Sequence, residues 1–312
     1  IVSMAALVFV KEDLGLTVAA FGLVVIWIEW GRTTREGDFD LYVRSLTSLM
    51  ATLRSRTARI GAGLAAWGIL WTLLAITVIL PAIHPGGTWE YTDRLSQTDT
   101  MATGPFTRLI FPTVKLQTLG LLALAAGVIG AVSPYMWIMV PTLAWRFLGN
   151  VDFYWGWHWH YSAILVPMAV VALVDSAHRR RRIRGAAALA VAVSLCSNLA
   201  VAWTSTIDQF FDRQPHALTA RQRTAAEGAV AIAGSGHRVV ASLRLLAYLV
   251  PDNRVFWEGT AKGADVDVVA VDPASAASSS GEAADKWAEE RFGGRWRIVY
   301  LKEGYQVAVR IE

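Results

Sequence analysis

Long uncharged runs alternate with short charged loops over the first two thirds of the chain. Residues 14–28, 60–89, 116–145, 161–174 and 185–207 contain no Asp, Glu, Lys or Arg. A helix crosses the ~30 Å hydrocarbon core with about 20 mainly apolar residues at 1.5 Å each. Residues 60–82 and 185–204 predict such helices outright, and 14–30 and 161–176 predict them at the short end. Residues 1–10, IVSMAALVFV, read as the tail of one more helix. The run 116–145 is too long for one crossing, since a single helix there would extend about 45 Å. Ser133-Pro134 lies near its middle, and proline breaks a helix by removing a donor and clashing with the preceding turn. Two short helices, spanning or re-entrant, are expected.

After residue 204 the pattern changes. A polar helical stretch at 219–233 precedes short β-type runs at 238–241, 254–257 and 266–271. A second helix, 282–292, leads into RWRIVYL and YQVAVRI, which alternate as strands do. PASAASSSGEAA, at 273–284, reads as a loop by composition. Gly234-Ser235-Gly236-His237 precedes a strand rather than following one, the wrong order for a nucleotide-binding loop, and reads as a turn.

Composition adds a division of labour. Of 312 residues, 54% are hydrophobic and 17% charged, with a mean hydropathy of +0.39; soluble domains carry about 25% charge. Residues 1–203 and 204–312 hold 27 charged side chains each, so the deficit belongs to the longer part. The fold class expected is mostly α: a polytopic transmembrane helix bundle over 1–204, with a small extracytoplasmic α/β domain over 205–312. A single soluble globule, a disordered chain and a fibrous repeat are excluded. Arg32, Arg35, Arg44, Arg54, Arg56 and Arg59 crowd one short loop, and Arg179–Arg182 with Arg184 another. Both are cytoplasmic by the positive-inside rule, which places 11–13, 83–115, 147–160 and 205–312 outside a cell membrane. The net charge of +4 lies in those loops, so no nucleic-acid partner is expected. Cys196, the one cysteine, permits no internal disulfide and reads as a small packed residue. The chain opens at Ile1 without a basic leader, which reads as a piece lacking earlier helices.

Few residues of the apolar part can carry chemistry. Lys11-Glu12-Asp13 stands at an outer helix end. It is either a helix-starting turn or a carboxylate pair facing an outer cavity. Lys11 and Lys115 are the two lysines of residues 1–203, both on the outer side. Lys115, with Arg94 and Arg108 upstream, suits a phosphate headgroup or snorkels at a helix end. WRFLGNVDFYWGWHWHY, at 145–161, is richest in oddities. An interfacial aromatic belt explains its Trp and Tyr residues but not Asp152, His158 and His160. A His-x-His pair shares one face only in an extended chain. Two imidazoles with weak third ligands make a poor zinc site; hydrogen bonding to a sugar or phosphate, with Trp rings stacked on the sugar, fits better.

KEDLGLTVAAFGL at 11–23, the stretch from Lys115 to Ser133-Pro134, and WGWHWHYSAILVP at 155–167 resemble a multi-pass membrane family catalogued as domain of unknown function 2079. VVASLRLLAYLVPDNRVFW at 239–257 and DVVAVD at 267–272 extend the resemblance. That family is similar to the GT-C membrane glycosyltransferases, which take sugars from polyprenyl-phosphate donors at the extracytoplasmic face. The resemblance implies a lipid-linked sugar donor and membrane lipid as partners. It puts the main catalytic Asp in an outer loop before this chain begins. Glu12 and Asp13 become supporting carboxylates; Lys11, Lys115, Arg94, Trp157, His158, His160 and Tyr161 become substrate-binding residues. The cofactor stays open, a divalent cation being the candidate. A transporter or flippase of a lipid-linked solute and a non-catalytic envelope scaffold are the other readings.

Overall fold

The computed structural model describes residues 1–36, 46–84, 87, 89, 105–149, 151–179, 184–204, 218–261, 263–275 and 282–311. The chain separates into two compact units, Ile1–Ile79 with Tyr91–Phe211, and Leu80–Glu90 with Asp212–Glu312.

The first unit is helical. Helix α1 is Leu14–Glu36 and α2 is Arg56–Leu74, which continues through a π-type turn at Ala75–Ile79 into Leu80–Ile83. Gly15, Ala19 and Gly22 of α1 face Gly68, Ala65 and Gly61 of α2, so the two run antiparallel. The approach is backbone to backbone: a Cβ on Gly15 would sit 2.6 Å from the Gly68 carbonyl oxygen, and one on Gly61 2.7 Å from that of Gly22. Small residues at seven-residue spacing allow this, and membrane helices gain association through such close packing rather than through burial from water.

Among the described residues, three helices are long and apolar enough to cross a membrane: Leu14–Thr34, Arg56–Ile83 and Gly185–Ala202. A bent pair, Asp152–Ser162 with Leu165–Arg179 at 67°, makes a fourth if it counts as one span. Leu23, Trp27, Leu70, Leu73, Leu195 and Leu199 are exposed on these helices, as lipid-facing side chains are.

The run 116–145 is broken, as its length required. Helix α3, Val114–Ala125, ends in a turn with positive φ at Gly127 and Val128; two 3-10 segments follow, Ile129–Val132 and Pro134–Met139, then α4, Val140–Leu148. The break begins about seven residues before Ser133-Pro134. Gly127 lies so close to the Ala190 carbonyl and to Leu173 Cδ1 that no side chain fits there. Ser133 caps the second 3-10 segment and donates 2.7 Å to Asp175 on α5, Leu165–Arg179. Leu122, Ala125, Met139, Leu165 and Ala169 form the core between these pieces. Helix α6, Arg184–Ala202, closes the unit. Cys196 is exposed on it, contrary to the packed position expected: α6 has only 11% of its apolar window buried, so most of its side chains point outward.

The second unit contains the sheet. Thr219 and Gln222 form a capping box that starts α7, Ala220–Ala233. Strands β1 (Arg238–Ala241), β2 (Arg254–Trp257), β3 (Val268–Val271), β4 (Trp296–Lys302) and β5 (Tyr305–Arg310) lie in the order β2-β1-β3-β5-β4, with α8, Ala284–Phe292, preceding β4. The β1 pairs with β2 and β3 are parallel, and β5 runs antiparallel to β3 and β4. Period-two alternation separates two cores. Val239, Ala241, Val268 and Ala270 pack on Ala225, Ala229 and Ala233 of α7. Val240, Val269 and Val271 pack on Ala284, Trp287 and Ala288 of α8. Strands covered on both faces read as continuous apolar runs, and β3 is VVAV, buried throughout. The GSGH segment is a turn, with positive φ at Gly234 and Gly236. Of the expected loop 273–284, residues 276–281 lie outside the described residues.

Candidate functional site

The sequence-predicted residues fall into two groups within the helical unit. The first is built on the turn before α1, where the Leu14 amide donates to the Lys11 carbonyl. Asp13 does not cap the helix. Its Oδ2 accepts from Trp145 Nε1 at 2.8 Å, and its Oδ1 lies 3.3 Å from Lys11 Nζ. That Oδ1 is buried and, among the described residues, has the Lys11 ion pair but no hydrogen bond. The Lys11 ammonium sits 4.7 Å from the Trp145 ring centre. Lys11, Asp13 and Trp145 therefore form one cluster. Glu12 is tied instead to α2, its backbone carbonyl accepting from Thr72.

The second group is the Trp- and His-rich segment, held from beneath by two buried cations. Lys115, 2% exposed, donates 2.9 Å to the Phe147 carbonyl and stands 4.1 Å from the Trp155 ring centre. Arg146 is 0% exposed. It donates to the carbonyls of Tyr154 at 2.7 Å, Gly156 at 3.0 Å and Tyr161 at 3.1 Å. Its guanidinium fork thus fixes both ends of 154–161 at once, geometry that a lysine's point charge does not offer. Thr118 on α3 adds a 2.7 Å bond to the Trp155 carbonyl. Tyr161 packs edge-on against Tyr154, at 4.8 Å between centres.

The braced segment walls a cavity of about 400 Å³ between α3, α5 and α6. Trp157, His158, Trp159 and His160 line one side, Ser197 and Asn198 another, with Thr118, Leu121, Leu122, Val166 and Val201 completing it. His158 and His160 both line this cavity; Trp159 between them has extended backbone (φ −108°, ψ 164°), the conformation in which such a pair shares a face. The Trp157 ring lies 3.8 Å from that of His158, tilted by 31°. Lys11, Glu12 and Asp13 do not line it. Arg94 lies outside the described residues. Among the described residues, no three His, Cys, Asp or Glu side chains gather as a metal site requires.

Contributors missed in the sequence include Arg146 and Asn198, along with Thr118 and Ser197. Arg146 had a signal, since an arginine ends an apolar run on the side opposite to the arginine-rich loops in the sequence reading. Asn198, whose amide donates to the Ser194 carbonyl, had none beyond its polarity in an apolar helix.

Broken and bent helices around an aromatic, largely apolar cavity with a few polar side chains, together with three candidate spans among the described residues, define a multi-pass membrane protein. The family described as "Predicted membrane protein (DUF2079)" matches residues 1–307, and the chain belongs to it. No curated protein and no solved structure matches the chain.

Proposed function

We propose that this protein is a GT-C-like glycosyltransferase of the cell membrane that takes a sugar from a polyprenyl-phosphate donor at the extracytoplasmic face. The cavity beneath the 157–160 segment carries the reading. Its Trp rings offer faces for a pyranose. His158, His160, Asn198 and Ser197 offer hydrogen bonds to hydroxyl or phosphate oxygens. Leu121, Leu122, Val166 and Val201 suit the first isoprene units. A pocket apolar on one side and polar on the other fits an amphiphile.

In the reaction a base removes the acceptor hydroxyl proton, the new glycosidic bond forms, and the anomeric carbon–phosphate oxygen bond breaks. Polyprenyl phosphate leaves with the electron pair. Cations stabilise the developing phosphate charge; Arg94 and Lys115 are proposed for that charge, Lys115 standing one turn before Thr118 on α3. Glu12 and Asp13 are proposed as supporting carboxylates, with Lys11 and Tyr161 near the substrate. The extracytoplasmic side is proposed for residues 205–312 as well.

A diazirine-bearing polyprenyl-phosphate sugar, irradiated with the full protein in nanodiscs, tests this. Cross-links at 157–166 and 197–202 that fall at least tenfold in His158→Ala with Asn198→Ala, together with sugar transfer lost in the same variant, support it. Lipid flipping without transfer assigns the transporter reading instead, and cross-links elsewhere overturn the site.

A further inference from the structure

A second cavity, of about 900 Å³, belongs to the C-terminal unit alone. Arg223, Ala226, Glu227 and Val230 line one wall, recurring at the three- and four-residue steps that share a helix face on α7. Arg244, Leu245 and Tyr248, which follow β1, line another, and Tyr305, the first residue of β5, closes the end. The position is chemically favoured. Strands β1 and β3 are parallel neighbours, and the crevice outside the carboxyl ends of parallel strands is where open α/β sheets bind ligands. Arg244 leaves the carboxyl end of β1. Tyr305 adjoins that of β3, since Val271 pairs with Gln306.

The lining has a definite chemistry. The side chains of Arg223 and Arg244 make no hydrogen bond or ion pair among the described residues, although four other arginines, Arg32, Arg179, Arg238 and Arg310, are paired with carboxylates. Burial and Asp272 hold the Tyr305 phenol above its usual range, with Arg244 opposing them; it is a neutral donor. Glu227 accepts from hydroxyl groups. Tyr248 is 68% exposed, an aromatic side chain presented at the rim. Two guanidiniums in one cleft match phosphate oxygens, and the volume is that of a small-molecule site.

We infer that this cleft binds a phosphate ester carrying hydroxyl groups, with Arg223 and Arg244 on the phosphate and Glu227 on a hydroxyl. A free sugar or glycerol phosphate and a phosphatidylglycerol headgroup share that chemistry. The full chain in phosphatidylcholine nanodiscs, titrated with glycerol 1-phosphate, separates them through hydrogen exchange of 220–233 and 245–249. Saturable protection, weakened at least tenfold in Arg223→Ala and in Arg244→Ala and kept in Arg254→Ala, supports the free ester. Protection only in phosphatidylglycerol nanodiscs, abolished by the same two substitutions, supports the headgroup. Unchanged exchange of 296–310 reports an intact fold in each variant. No protection in either lipid, or protection indifferent to both arginines, overturns the inference. Neither result bears on sugar transfer in the helical unit.

Discussion

The indole Nε1 of Trp145 donates to Asp13 Oδ2 at 2.8 Å across 132 positions of sequence. It ties the turn before α1 to the end of α4, while Lys11 holds the other oxygen of the same carboxylate. Hydrogen bonds to a charged group contribute about 1.5–3 kcal/mol, and a buried carboxylate that loses its donor suffers the full desolvation cost. Trp145→Phe keeps the ring and removes the donor. It is expected to lower stability by about that amount, read from thermal unfolding in detergent. Asp13→Asn should then cost less in the Trp145→Phe background than alone, because the indole bond is already gone and only the Lys11 pair remains to lose. Additive losses would show that the two side chains act independently.

The α1–α2 contact makes a contrast of two glycines on one helix. At Gly68 a Cβ would stand 2.8 Å from the Ala19 amide nitrogen and closer still to the Gly15 carbonyl. Gly68→Ala must therefore separate the helices, and overpacking of this kind costs about 1–3 kcal/mol. At Gly63 nothing lies within 4 Å, so Gly63→Ala should be neutral or stabilising by up to about 1 kcal/mol through helix propensity. Equal effects of the two substitutions on thermal unfolding would contradict the packing described.

The elements were legible where a period or a charge gap marks them. The uncharged runs located the three long helices, and alternation located β4 and β5. The break in 116–145 was legible in kind but not in place. Proline advertises a break at 134, whereas the chain turns at Gly127 because the Ala190 carbonyl and Leu173 press against it, a tertiary fact that no local pattern carries. The site was legible only in part for a similar reason. His158 and His160 announce themselves by residue type. The partners of Arg146 are backbone carbonyls, which every residue has, so its role becomes visible only when Tyr154, Gly156 and Tyr161 converge on it.

That convergence makes Arg146 a positioning residue for the cavity wall. Arg146→Met leaves three carbonyls without their donor, at about 1–3 kcal/mol for each that stays buried and unpaired. Arg146→Lys keeps the charge but not the fork. The expected order of cavity integrity is wild type, then Lys, then Met, measured by hydrogen exchange of 154–162. Exchange in α1 should change little. Wild-type protection of 154–162 in Arg146→Met would falsify the bracing role.

The C-terminal unit carries a pH-dependent clamp. Arg238 is ion-paired with both Asp265 and Asp267, the Nη2–Oδ1 distance to Asp267 being 2.6 Å, and Arg310 lies 3.2 Å from Asp265. The hydrogen bond from the Arg238 side chain holds the Asp267 carboxyl below the usual carboxylate range, with partial burial opposing it. A carboxyl lowered in the folded state binds fewer protons than in the unfolded one. Its stabilisation is therefore complete above the ordinary Asp value, about 3.9, and is lost as pH falls through the lower folded value. The groups are largely solvated, so the effect is small and salt-sensitive. Lowering the pH from about 6 to below 4 should reduce the protection factors of the β1 and β3 amides in the wild type, exchange being corrected for its intrinsic rate at each pH. Arg238→Met, already lacking the clamp, should show a shallower acid dependence. An equal acid response in both proteins would assign the pH dependence to other carboxylates.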